Sequence, residues 1–461
     1  MMNIPLPDLT PVTPEIAITI SATVLLILEL IFKNKGVLAF IAVATAAVVL
    51  YTIPSSHGET FGGMFISDTY STYFKLIFII NLVLTVLISL RYIQRQKAEY
   101  GEYYSLLLFA TAGMMLMASA KDLIILYLGL ELMALSTYIL AGIKRHDIKS
   151  NEAAIKYFLL GAFSSALLLY GISLIYGMTT TTDIYKIAEH LKTTELTTTL
   201  LLSMILIMVA FSFKIAAAPF HMWAPDVYEG APTSITAFMS VGPKSAGFAV
   251  MGRVFYTAFQ GIQADWTPIL IGIAILTMAV GNILALVQTN IKRMLAYSSI
   301  AHAGYMLIGI IPGTQESMSA MMVYMLIYAF MNIGAFAIVI LLEKGEELSD
   351  YEGLSKSHPL VAALMLIFMF SLTGIPPTAG FIGKFNLFMA AIKAGYAWLV
   401  VIAVIFSAIS AYYYLRVVMN MYMKEMKQES AIAPSPSLGL AIFITVLMVF
   451  VIGIMPSVVI G

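Results

Sequence analysis

The chain reads as a succession of apolar runs, each about long enough to cross a bilayer. A spanning helix needs roughly 20 apolar residues at 1.5 Å per residue to cover a hydrocarbon core of about 30 Å. Such runs fall near 15–33, 36–53, 73–91, 104–120, 122–143, 154–176, 197–221, 233–257, 267–288, 292–311, 319–342, 359–393, 397–422 and 437–459. That makes about fourteen, and only Lys121-Asp122 divides the pair at 104–143. No stretch between them is long or polar enough for a separate soluble domain. Charged residues make up 11% of the chain and hydrophobic ones 60%, against roughly 25% charged in soluble domains. The outer surface therefore faces lipid, and the expected fold is an all-α polytopic membrane protein.

Composition also narrows the chemistry. The formal net charge is zero, and no basic patch suggests a nucleic-acid partner. With no cysteine there is no disulfide framework, thiolate nucleophile or iron–sulfur site. The six histidines are scattered, so no metal site is expected. The 30 methionines read as packing residues in apolar helices. The first fourteen residues hold Pro5, Pro7, Asp8, Pro11 and Pro14 and no Lys or Arg, so the first run reads as a retained helix rather than a cleaved signal.

Lys and Arg in the loops set the orientation. Odd-numbered runs are followed by Lys33, Lys35, Arg91, Arg95, Lys97, Lys144, Arg145, Lys149, Lys292, Arg293, Lys344, Lys356, Arg416, Lys424 and Lys427. The opposite side carries only Lys75, Lys121, Lys186, Lys192 and Lys393. This places both termini outside a bacterial or archaeal plasma membrane. The segment 222–232, with Asp226 and Glu229 and no basic residue, breaks the trend and reads as a solvated loop.

The remaining basic residues, Lys156, Lys214, Lys244, Arg253 and Lys384, lie within helices. Arg253 and Lys156 are near helix ends, from which they can snorkel to the interface. A lysine at the centre of an inserting helix costs about 2.5–3.5 kcal/mol. Lys244 sits midway along its run, too deep to snorkel, and points to a water-filled internal path or an internal ion pair. Glu131 lies near the middle of the fifth run, where a buried carboxyl is neutral or paired. If it faces Lys214, each holds the other charged. Parting them frees the lysine's proton, a switch built from two residues.

Two runs look broken. One passes from Lys214 through Ala218-Pro219 to His221, the other from Gly374 through Pro376-Pro377 to Lys384. Proline removes a backbone donor and clashes with the preceding turn. Within a membrane, broken backbone survives only where protein or a water-filled cavity covers it. The run 359–393 would also measure about 52 Å as one helix, which overshoots the bilayer. The breaks lie five runs apart, so two five-helix repeats are expected, inverted in the membrane. The expected division is 1–100 for runs one to three, 101–258 and 262–422 for the repeats, and 423–461 for the last run. Among lesser residues, His302 lies where it can relay a proton between two lysine sites. His221, with Asp226 and Glu229, marks a proton-uptake point or simply a loop. Glu29 reads as structural.

The segment from Lys214 to Thr233, containing Pro219, His221 and Asp226-Val227-Tyr228-Glu229-Gly230-Ala231-Pro232, resembles the helix-seven signature of the antiporter-like subunits of respiratory complex I. So does Lys292-Arg293-Met294-Leu295-Ala296-Tyr297-Ser298-Ser299 with His302. Among the three such subunits the chain is most similar to the N type, both at 226–232 and at 374–385; the M type carries Glu where Lys384 stands. The resemblance covers nearly the whole chain. It implies that Glu131 modulates Lys214, that Lys244 is the central proton carrier, that His302 and water lead onward, and that Lys384 is the terminal site. Lys156 would help couple neighbouring subunits. It further implies a non-redox subunit of a proton-translocating NADH:quinone oxidoreductase, without cofactor in this chain. The implied neighbours are an M-type subunit, small K, J and A types, and lipid, with quinone bound elsewhere. An Mrp-type cation/proton antiporter subunit is the first alternative, and a passive scaffold with structural buried charges the second.

Overall fold

A computed structural model describes residues 7–32, 35–96, 98, 100–192, 196–343, 345–426 and 431–459. Lys33, Lys97, Lys344 and Lys427, which entered the loop comparison, lie outside the described residues. The described chain holds eighteen α-helices. They are α1 (Thr13–Leu28), α2 (Lys35–Thr52), α3 (Thr69–Arg95), α4 (Glu102–Ser119), α5 (Leu123–Ala141), α6 (Ile148–Thr179), α7 (Ile184–Leu191), α8 (Thr198–Lys214) and α9 (Trp223–Gly230). There follow α10 (Thr233–Thr257), α11 (Gln263–Leu286), α12 (Ile291–Leu307), α13 (Gln315–Leu341), α14 (Leu354–Ser357), α15 (Pro359–Thr373), α16 (Ala379–Lys393), α17 (Ala397–Met423) and α18 (Pro436–Ile454). Each of the fourteen apolar runs contains a helix, and the run 359–393 contains two. Among the described residues, nine helices are by length and composition long and apolar enough to cross a membrane. The breaks leave α8 and α15 short of that length.

Burial identifies the centre of the bundle. The most apolar stretch of α13 is 94% buried, against 33% for α17 and α18, so α13 is a core helix and the other two present broad faces outward. α4 packs on α5, and α11 packs on α12, at close approach. A methyl group added to Gly113 would lie 2.5 Å from the Met133 amide nitrogen, and one added to Gly281 would overlap the Ala301 amide. Only glycine lets these backbones meet.

The same local pattern occurs twice. Asp122 caps α5 through its side chain and its backbone pairs with Asp183, beyond α6. Asn290 caps α12 and its backbone pairs with Glu347, beyond α13. In the first case Leu123 N–H donates to Thr182 and Ile184 N–H to Lys121; in the second Ile291 N–H donates to Glu346 and Leu348 N–H to Thr289.

Four local features depart from the sequence reading. The chain is not wholly helical: β1 (Gly58–Thr60) and β2 (Phe65–Ser67) form an antiparallel hairpin, held to the end of α4 by the Phe65–Ala120 bridge. The segment 222–232 is not a loop but carries α9, because Trp223, Ala224, Val227 and Tyr228 recur at helical spacing and are buried. Arg253 does not snorkel. It is buried and forks onto both oxygens of Asp68 at 2.9 Å, with two further bonds to the Ala118 carbonyl. Lys75 is no loop flank either. It is fully buried, 2.8 Å from the buried Glu15 of α1, and donates to Ser67 at 3.2 Å. The contact is a short buried ion pair. Glu29, as expected, is structural: it pairs with Lys35 and accepts from the Gly101 amide.

Candidate proton path

Lys214 is the last residue of α8 and is buried. Beyond it Ala216 adopts a left-handed backbone (φ 57°) and the chain turns into α9. Other parts of the protein take up the freed backbone groups, as a break in lipid requires. Ala217 N–H donates to Ser212, Ala218 N–H to the Thr277 hydroxyl, and the Trp223 indole N–H to the Phe213 carbonyl. The Lys214 ammonium donates to the Tyr138 hydroxyl at 3.4 Å. Glu131, on the same face of α5, lies near enough for its charge to act on Lys214 but makes no ion pair with it, and one Glu131 carboxylate oxygen is buried without a hydrogen-bond partner. His221 is buried in the turn with its Nδ1 unpartnered. It does not join Asp226 and Glu229, the grouping that the sequence suggested.

Lys244 lies inside α10, directly after Pro243, and is buried. It donates a short hydrogen bond to Ser299 of α12. Lys244, Ser299, His302, Met325 and Tyr328 surround a space of about one water molecule. His302 is fully enclosed, with Tyr324 at 2.7 Å from Nδ1 and Tyr414 at 3.2 Å from Nε2. Tyr414 in turn meets Ser298.

Lys384 sits one turn into α16 and donates to the Leu372 carbonyl at 3.2 Å, the Thr373 carbonyl at 2.8 Å and the Ser407 hydroxyl at 2.9 Å. Those carbonyls end α15. A helix C-terminus carries about half a negative charge and unpaired carbonyls, so it favours a cation. Pro376 and Pro377 thus open the backbone that holds Lys384. The two broken-helix lysines differ in what holds them: Lys384 has three partners and Lys214 one weak one.

Lys156 stands apart from these. It is half-exposed and pairs with Glu152 and with Asp226, each at 2.7 Å. Arg293 bonds Asp226 and Glu229, and Lys149 bonds Glu229. Burial alone would raise the Asp226 and Glu229 carboxyls, but hydrogen bonds and charge from Lys156, Arg293 and Lys149 hold both below their ordinary values. Sequence reasoning missed the hydroxyl partners Tyr138, Tyr324, Tyr414 and Ser407. Tyrosines in apolar runs look like packing; the one readable signal was that Tyr138 follows Glu131 by seven residues, two turns along one face.

Residues 120–410 match the family model described as NADH:quinone oxidoreductase/Mrp antiporter, TM. The chain belongs to this family of antiporter-like membrane subunits. An NADH-quinone oxidoreductase subunit N from Thermodesulfovibrio yellowstonii is 50% identical over 443 residues, 96% of each chain. A chain of Thermus thermophilus respiratory complex I superimposes with a TM-score of 0.82 at 32% identity, over 97% of this chain and 98% of that one. A chain of the Dietzia sp. Mrp complex gives a TM-score of 0.83 at 19% identity, over 98% of this chain and 95% of that one, a likeness of fold. Within the family, the chain therefore sits with subunit N.

Proposed function

We propose that this chain is the subunit N component of an NADH-quinone oxidoreductase of the complex I type, and that it moves protons along Lys214, Lys244, His302 and Lys384. The observation that carries this reading is the placement of Lys214, Lys244 and Lys384: each is buried inside the bundle, and among the described residues each donates hydrogen bonds only to neutral hydroxyl or carbonyl groups. A lysine kept for structure is expected to face a carboxylate, as Lys75 does. Hydroxyl and imidazole groups lie between Lys244 and Lys384, and such groups both accept and donate protons. Redox chemistry would take place in other subunits, with quinone bound there.

The repeat division 101–258 and 262–422 is part of this proposal. It is supported by the twin bridges Asp122–Asp183 and Asn290–Glu347, by the twin contacts at Gly113 and Gly281, and by one broken helix in each half. So is the orientation, with both termini outside. The mechanism begins when a signal from the redox module alters the Glu131–Lys214 relation. Lys214 then releases its proton towards Lys244, and the charge passes by His302 to Lys384 and out.

Lys244→Met in the reconstituted complex tests the path. Pumping is expected to fail while quinone reduction continues at a lower rate; full proton-to-electron stoichiometry would refute it. The Mrp-type alternative rests on the breadth of the family model and on a likeness of fold at 19% identity. Mass spectrometry of the complex purified through this chain separates the two: quinone-reductase partners support the proposal, and Mrp partners overturn it.

A further inference from the structure

Lys214 stands between two acceptors on one face of α5. Tyr138 lies seven residues after Glu131, so the two project to the same side. Among the described residues, Lys214 Nζ is hydrogen-bonded to the Tyr138 hydroxyl alone. The buried Glu131 oxygen is unpartnered, although it is the natural mate of a buried ammonium. The structure thus bonds the lysine to the hydroxyl, with the carboxylate near enough to act on it through space but not in contact.

The place for this hydroxyl is built. Gly161 of α6 faces it, and a methyl group there would overlap the Tyr138 oxygen. The Tyr138 ring meets Tyr157 edge-on with centroids 4.7 Å apart. Tyr157 stacks flat on Trp223, at 4.5 Å and 9° between planes. Trp223 opens α9. The next charged residue of α9, Asp226, pairs with Lys156, the neighbour of Tyr157 in sequence. One continuous set of contacts therefore runs from the Lys214 hydrogen bond to the ion cluster at the end of the bundle.

We propose that Tyr138 is a positioning residue for Lys214: its hydroxyl is the alternative partner that receives the ammonium when Glu131 is withdrawn, and the Tyr138–Tyr157–Trp223 contacts couple that position to α9. This rests on the reading of Lys214 as a proton carrier. The carboxylate partner keeps the lysine charged. The neutral hydroxyl accepts one hydrogen bond without supplying a counter-charge, so from there the proton leaves Nζ for the next acceptor towards Lys244, and the lysine is left neutral. Movement of α9, through Trp223 and Tyr157, would tilt the balance between the two positions.

Tyr138→Phe keeps the ring and its stack and removes only the hydroxyl. At 3.4 Å the hydroxyl's bond to Lys214 is long, so its loss shifts the equilibrium by no more than about tenfold, and the lysine should return to Glu131. In the intact complex reconstituted in vesicles, quinone reduction should persist while protons moved per electron fall. Glu131→Gln removes the competing partner, so Tyr138→Phe in that background should add little further loss. Lys214→Met serves as the control for the underlying reading. If Lys214→Met lowers the ratio and Tyr138→Phe leaves it at the wild-type value, the role of Tyr138 is refuted and the path stands. If Lys214→Met pumps fully, the path itself is refuted. A Tyr138→Phe defect that multiplies with Glu131→Gln, or that only follows the yield of assembled complex, marks a packing role and overturns the proposal.

Discussion

Replacing Lys75 by methionine tests the buried pair at the start of the bundle. The change keeps the length of the side chain and removes its charge, leaving Glu15 buried without its cation. At 2.8 Å and an effective dielectric near 20, the attraction removed is about 6 kcal/mol. The desolvation of both ions already offsets part of this, and breaking such pairs costs about 3–5 kcal/mol. At about 2.1 cal/mol/K of unfolding entropy per residue, a loss of about 4 kcal/mol over 461 residues lowers the melting temperature by about 4 °C. The assay is a thermal scan of the purified protein in detergent, followed by tryptophan fluorescence. Pairing Lys75→Met with Glu15→Leu should recover most of the loss, because well-packed apolar groups of similar volume replace a buried pair at little or no cost. A single variant that melts with the wild type, or a double variant no better than the single, would refute the argument.

Gly113→Ala should destabilise by about 1–3 kcal/mol, because the added methyl meets the Met133 backbone and forces α4 from α5; an unchanged melt would show that the helices can part freely. Asp68→Asn should also lower the melt, but by less than Lys75→Met, since Asp68 is partly exposed and Arg253 keeps its bonds to Ala118. Asp226 and Glu229 are held below their ordinary values of 3.8 and 4.5. Their contribution is therefore present at neutral pH and lost as pH falls through the lower folded values. The melting gap between wild type and a variant carrying Asp226→Asn and Glu229→Gln should be present at neutral pH and close in acid; a gap of constant size would count against the cluster.

The sequence was most informative where a residue type is costly in its surroundings. Lys214, Lys244 and Lys384 stood out because ammonium groups do not belong in apolar runs, and Pro219, Pro376 and Pro377 because a helix cannot pass through them unaltered. Both breaks appear where those signals fell. What stayed hidden depended on partners distant in the chain. Glu15 falls at the start of the first apolar run, where nothing in the sequence marked it; the packing of α1 on α2 and α4, both of which meet α3, brings it to Lys75. Arg253 seemed free to reach the interface until Asp68, almost two hundred residues earlier, came beside it. Tyr138 follows Ser136 and Thr137 in an otherwise apolar stretch, and nothing local separates a hydroxyl that packs from one that bonds. The helix α9 was legible in its apolar spacing, but two carboxylates within eight residues argued for a loop.

Under the proposed repeat division, the bridges Asp122–Asp183 and Asn290–Glu347 would fall on opposite sides of the membrane, and the reason would be parity. The proposed repeating unit crosses the membrane five times, and five is odd, so a second copy joined in sequence begins on the side where the first one finishes. A unit of four or six crossings would set both copies the same way up. Both broken helices would then open to the same compartment, and a proton would find two doors into one room. An odd unit would set each copy the opposite way up across the membrane from one and the same folding pattern. Two half-paths open to opposite compartments would then need no separate invention; they would follow from counting.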